Sequence, residues 1–442
     1  MPTRYSRLCI FHYHLKPGGV TGVILDSIRA VQQHGAEAGF APQAITVVLG
    51  SPANADVVPH TLGTHPAIPV DVQVVPEIGY LSRATAKKGT PEDGRALVMD
   101  ALAGFADADA AGAADARGAG DGAATDRGGS CLWWVHNYQL GKNPDFTAAL
   151  LSYAEEGQPM VFHIHDFPEC ARYENLAFLN ERVHGPVYPV LDNVRYALIN
   201  PRDHKLLIQA GIPETHAQLL RNPAPLPASA ANSPRPADEV RHILNDAFSV
   251  RFPLYEPDLP LVLCPVRTIR RKNVVEAALI TRLLRDPVNL VVSLPGTSAA
   301  EAPYSQMVER MYMEGLIPGM FGIGAELEAH GLDFRDLVAA SDLVLSGSVQ
   351  EGFGYQFVDP LRWGKPLCAR KLDVVEEDIF EDHPVHLYER VVVPVSSPSL
   401  SDVRPYLRMR YQERLDRIED QLPPEAVQAL QADIERLCGG QT

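Results

Sequence analysis

Short apolar runs recur along this chain, each breaking into a glycine- or charge-bearing turn and resuming with helical spacing. That rhythm confines the chain to alternating strands and helices. Residues 343–345 (Leu-Val-Leu) run into a glycine loop and then a helix predicted over 355–363, which Gly364 and Pro366 end. Residues 8–11 lead through Pro17-Gly18-Gly19 into a stripe of Val20, Val23, Ile24, Ile28 and Val31 that stops near Gly35. Residues 259–264 lead through a basic turn into Val274, Val275, Ala278, Leu279 and Leu283. Further strands are expected at 131–135, 161–164, 196–199, 217–220 and 289–294. Parallel strands of this kind carry their functional groups at their C-terminal ends, and at 442 residues there is ample chain for two such cores.

The loop after residue 345 reads Ser346-Gly-Ser-Val-Gln-Glu351-Gly352-Phe353-Gly354 and ends at a helix start. Free backbone N–H groups and the helix dipole favour an anion there. Glu351 lies in the loop and Asp359 on the helix, eight residues apart. Carboxylates beside a phosphate site suit hydroxyl groups, so the combination suits a sugar nucleotide. Upstream, Arg267 and Lys272 flank a turn that also holds Arg270 and Arg271. Asn273 is expected as a helix N-cap, with Glu276 three residues later as in a capping box.

These two segments resemble the donor-binding segments of family 4 glycosyltransferases of the GT-B fold, an α/β architecture of two Rossmann-like doubly wound domains facing a central cleft. The resemblance rests on the Glu-Gly-Phe-Gly core followed by a second acid, and on an Arg and a Lys five residues apart. It implies that Arg267 and Lys272 neutralise the donor diphosphate and that Glu351 contacts the donor sugar. Gly352, Phe353 and Gly354 would line the donor, and Asp359 would hold the ribose. Asp359 stands where the family carries the longer Glu, Pro360 follows it, and Val266 stands where a Gly is usual. The same resemblance makes the Gly18-Gly19 turn a second donor-binding loop. It places His165 near the reacting centre and Asp166 in the acceptor pocket, and His136 and Lys142 are assigned to acceptor recognition. His163 is expected to be a core histidine satisfied by backbone. No metal site and no cofactor are expected, the nucleotide-diphosphate sugar being a co-substrate.

Acids outnumber bases 55 to 39, giving a formal charge of −16, which argues against a nucleic-acid partner. No apolar run is long enough to span a bilayer; peripheral membrane contact stands open. Six cysteines are scattered without a Cys-x-x-Cys pair, and no signal peptide precedes the first strand, so a reducing cytoplasm is expected. Residues 101–129 are mostly Ala, Gly and Asp, and read as a low-complexity insertion in which Asp107-Ala-Asp109 is accidental. The expected organisation is an N-terminal acceptor-binding domain over 1–222, a linker over 223–258 and a nucleotide-sugar domain over 259–398. Helices over 399–442 would cross back to the first domain.

The resulting expectation is a retaining, metal-independent glycosyltransferase, a hexosyltransferase, acting on a carbohydrate or small-molecule acceptor. In the mechanism the resemblance implies, the leaving phosphate takes the acceptor proton. Three alternatives stand beside it: a disaccharide phosphorylase using free phosphate, a non-catalytic sugar-nucleotide-binding partner subunit, and a sugar-nucleotide epimerase. The nucleobase, the sugar and the acceptor are left open.

Overall fold

A computed structural model describes residues 5–62, 66–106, 130–170, 172–223, 233–299, 301–375, 380, 383–392 and 397–438. Most of the expected insertion, with Asp107 and Asp109, and residues 224–232 of the expected linker lie outside the described residues. The chain divides into two compact units, residues 1–194 with 392–442 and residues 195–391.

The first sheet contains β1 (Tyr5–His12), β2 (Ala44–Leu49), β3 (Val70–Val74), β4 (Ser130–His136), β5 (Met160–Ile164), β6 (Val194–Leu198) and β7 (Ala217–Leu219). Their order is β3-β2-β1-β4-β5-β6-β7, parallel in each described pair. Chain order therefore reverses between β1 and β4, and a crevice opens beyond the carboxyl ends of strands at such a switch point. Leu8, Ile10, Ile45, Val47 and Leu49 on the strands pack against Ile24, Leu25 and Ile28 of helix Gly19–His34.

The second sheet contains β8 (Leu261–Arg267), β9 (Asn289–Leu294), β10 (Gly319–Phe321), β11 (Leu343–Ser346), β12 (Leu367–Arg370) and β13 (Val385–Tyr388). Its order is β10-β9-β8-β11-β12-β13, again parallel, with the reversal between β8 and β11. The basic turn follows β8 and the glycine loop follows β11, so both motifs lie at this second switch point.

Part of the expected linker belongs to this unit. Helix Ala237–Phe248 buries Val240, Leu244 and Phe248, spaced four apart, in the same core as Leu261, Leu263 and Val291. β8 also runs past the expected end at residue 264 to Arg267, where it pairs with Leu294. Toward the C-terminus the helices are Ser397–Leu415 and Pro424–Cys438. Among the described residues no helix is long and apolar enough to cross a membrane. None of the six cysteines is in a disulfide among the described residues.

Candidate functional site

The second unit gathers its charged groups where β8 and β11 end. After β8 the chain makes one 3-10 turn, Arg270–Lys272, closed by Asn273 in the left-handed conformation (φ 48°). Asn273 stands at the expected N-cap of helix Val274–Leu283, but without the expected capping bond. The Asn273 side chain makes no cap to the backbone and instead donates to the Glu276 carboxylate at 3.1 Å. Glu276 is further held by Arg370 and by the Tyr388 hydroxyl at 2.8 Å.

The turn points Arg271 and Lys272 at the glycine loop. Lys272 Nζ donates to Glu351 Oε1 at 2.6 Å and to Gln356 Oε1 at 3.0 Å. Arg271 donates to the other Glu351 oxygen at 3.0 Å and to the Gln350 carbonyl at 2.9 Å. The Glu351 and Lys272 side chains are only 7% and 13% exposed. Burial alone would raise the Glu351 carboxyl, but Lys272 and Arg271 more than offset it and hold it below the ordinary range. Burial lowers the Lys272 ammonium, against the opposing pull of Glu351. Gln356 Oε1 also accepts from the Ser348 hydroxyl at 2.6 Å, while its buried Nε2 has no partner among the described residues. A buried donor left unmade is costly, so this N–H is a natural point for a ligand.

Arg267 is not brought into that cluster; it faces Glu301 at 3.4 Å and is half exposed. Gly352 accepts from Asn200 Nδ2 at 2.8 Å, a contact no motif signalled. Phe353 stacks edge-on with Tyr355 at 5.0 Å. Gly354 caps helix Tyr355–Arg362 with φ 90°, a conformation glycine adopts without strain. A Cβ there would stand 3.1 Å from Val375. Asp359 lies on that helix paired with Arg362 at 2.6 Å, and burial raises its carboxyl despite that partner.

The first unit presents its polar groups where β1 and β4 end. A cavity of about 250 Å³ is lined by residues 12–14 and 16–21 after β1, by Asn137, Leu140 and Lys142 after β4, and by Tyr80 and Arg172. Gly18 and Gly19 thus lie on its wall, as does Lys142, whose ammonium sits 5.1 Å over the Tyr80 ring. Burial and Arg172 lower the Lys142 ammonium. Asp166 holds Arg172 through two bonds, at 2.8 and 2.5 Å, and does not itself line the cavity.

His136 and His165 lie behind this wall. His136, expected to recognise an acceptor, is fully buried, and its Nδ1 shares a 2.9 Å hydrogen bond with His165 Nε2. His163 is buried as expected, but its partner is not backbone: Trp134 Nε1 donates to its Nδ1 at 3.2 Å. Register puts His136 beside His163 across β4 and β5, so a third imidazole joins the pair that the sequence alone displays. Among the described residues these three form the group whose ligand atoms lie close enough together to hold a metal, all within 4.8 Å of one another. Two of their lone pairs are already engaged, one with Trp134 and one within the His136–His165 bond, and their ring planes lie 30–38° apart. A metal held by all three would have to displace both bonds, while Nε2 of His136 and of His163 have no partner among the described residues.

No family model matches the chain. A curated relative does: mannosylglucosyl-3-phosphoglycerate synthase of Petrotoga mobilis (strain DSM 10674 / SJ95) is 30% identical over 415 residues, covering 93% of this chain and 73% of the relative. Among solved structures, HepE of Anabaena in complex with UDP-glucose is 16% identical, with a TM-score of 0.51 over 90% of this chain and 88% of its own. Sucrose-phosphate synthase of Thermosynechococcus elongatus is 14% identical, with a TM-score of 0.50 over 98% of each chain. At these identities the two structures show a shared fold.

Proposed function

The chain belongs to the GT-B glycosyltransferases, and from that premise we propose that it moves a hexosyl group, with retention and without a metal, from a nucleotide-diphosphate sugar to a hydroxyl of a carbohydrate or small-molecule acceptor. The observation that carries this reading is the buried Lys272–Glu351 pair, braced by the more exposed Arg271 and set against an unsatisfied Gln356 N–H at the switch point of the second sheet. Cations at that point suit the diphosphate, whose charge rises as the glycosidic bond breaks. With diphosphate bound, Lys272 and Arg271 turn their charge toward the phosphates, and Glu351 becomes free to accept from sugar hydroxyls. Arg267 adds a third cation. Gln356 Nε2 donates to the donor, and Asp359 takes the ribose hydroxyls. His165, its tautomer tied to that of His136, would sit near the reacting centre. The departing phosphate takes the acceptor proton, so the enzyme's work is positioning and charge stabilisation.

Thermal shifts with UDP, GDP, ADP and inorganic phosphate test the reading, on the wild type and on Arg267→Ala/Lys272→Ala. Stabilisation by one nucleoside diphosphate, lost in the double variant, is the expected result and names the donor class. A response to phosphate alone would replace the transferase with a phosphorylase, and no response to any ligand would favour a non-catalytic subunit.

A further inference from the structure

Two cations of the first unit's cavity lack a counter-charge among the described residues. Among the described residues neither Lys16 nor Lys142 has a carboxylate partner, and the nearby Arg172 is already matched by Asp166. Helix Gly19–His34 opens on the same wall with Gly18 at its N-cap, no side-chain cap and no acid in its first turn. Its first N–H groups therefore add to the positive field.

Two further groups point to a ligand. The Lys16 backbone N–H donates to His14 Nδ1 at 3.2 Å, so a neutral His14 carries its proton on Nε2, which meets the Tyr80 hydroxyl at 3.0 Å. Tyr80 accepts there and keeps its own O–H to give. His12 also lines the cavity and is only 6% exposed, yet its Nδ1 has no partner. In the tautomer protonated on Nε2, that Nδ1 is a lone pair that accepts a hydrogen bond.

We propose that this cavity binds a small polyol phosphate, with the phosphate ester on Lys16, Lys142, Tyr80 and the open helix start and a ligand hydroxyl donating to His12 Nδ1. Two uncompensated cations plus a helix N-terminus match a dianionic phosphate better than a single carboxylate. The proposal leans on the transferase reading only in making this molecule the acceptor.

Isothermal titration tests it with glycerol 3-phosphate as the ligand and glycerol as the neutral control, on protein saturated with the nucleoside diphosphate that stabilises it and on protein without nucleotide. The expected result is binding of glycerol 3-phosphate in both states and none of glycerol. Lys16→Ala/Lys142→Ala should weaken it at least about tenfold, since two charge-assisted contacts are lost. Arg267→Ala/Lys272→Ala should leave it unchanged. Competition between nucleoside diphosphate and glycerol 3-phosphate would make the cavity part of the donor site and overturn the proposal. Undiminished binding in Lys16→Ala/Lys142→Ala, or no binding to the wild type at 10 mM (roughly the weakest affinity worth the name here), would overturn it too. If no nucleoside diphosphate binds, the transferase reading fails while the nucleotide-free titration still decides the phosphate site.

Discussion

Lowering the pH from 7.5 to 5.5 should strip much of the stability from the first unit, because four histidines are buried there without charge. His12, His136, His163 and His165 are 6%, 0%, 1% and 6% exposed. Burial lowers all four, His12 to about 4 with His14 adding to the effect, and His163 to about 3. His136 and His165 are held well below the ordinary range by burial and by their histidine neighbours. At pH 5.5 the folded chain therefore keeps them neutral, while the unfolded chain protonates them near its ordinary value of about 6.5. The unfolded state binds more protons, so stability is lost as pH falls from about 6.5 toward 4 and is intact above that window. Each group forfeits RT ln(1 + 10), about 1.4 kcal/mol, at pH 5.5 and almost nothing at pH 7.5. Four together come to about 5.5 kcal/mol, on the scale of the whole stability of a domain.

Urea unfolding across that pH range reads this directly. In a Trp363→Phe background the emission comes from Trp133 and Trp134, and Trp134 stacks on His136 and His163 at ring distances of 5.7 and 5.8 Å. A His163→Gln variant keeps an acceptor for the Trp134 N–H and removes one titrating group, so the pH slope should fall by roughly a quarter. A midpoint that stays constant between pH 7.5 and 5.5, equivalent to uptake of less than about one proton on unfolding, would refute the reasoning.

In the second unit, Glu351→Gln breaks a buried pair and leaves Lys272 with Gln356 alone, at a cost of about 3 kcal/mol. Calorimetry should show a Tm lower by roughly 6–12 °C for a unit of this size, most of it recovered in Lys272→Met/Glu351→Leu. The same Glu351→Gln protein should bind nucleoside diphosphate at least as tightly as the wild type, because its cations are no longer neutralised, yet transfer almost no sugar; weaker binding would remove Glu351 from the role of counter-ion. Gly354→Ala forces an L side chain to φ 90° and sets its Cβ 3.1 Å from Val375, so urea unfolding should register a loss of about 1–2 kcal/mol.

What was legible in the sequence divides along a physical line. Local rules work where one element explains itself: residues 289–294 are a strand to the residue, an apolar run stopped by Pro295, and Asp333 caps helix Phe334–Ala340 with a full capping box. The strand, turn and helix that frame both motifs were legible for the same reason, since they sit within a few residues of each other. Composition misled where it overrode periodicity. The Pro-, Ala- and Ser-rich approach to residue 236 made the following helix look like linker, although Val240, Leu244 and Phe248 already mark a buried stripe. What no local rule reaches is pairing across the chain. Arg271 and Lys272 meet Glu351 some 80 residues away, so the glycine loop carries its own counter-ion. The histidines carry the same lesson with a difference. His163 and His165 share one face of a strand by simple alternation, and matching the polar ends of β4 and β5 would bring His136 beside them. Register is therefore the missing signal there, whereas at Glu351 it is a side-chain contact between loops. On the proposed reading, a diphosphate arriving at Lys272 would compete with a carboxylate already bound, and that competition would tie recognition of the phosphate to release of the acid proposed to hold the sugar.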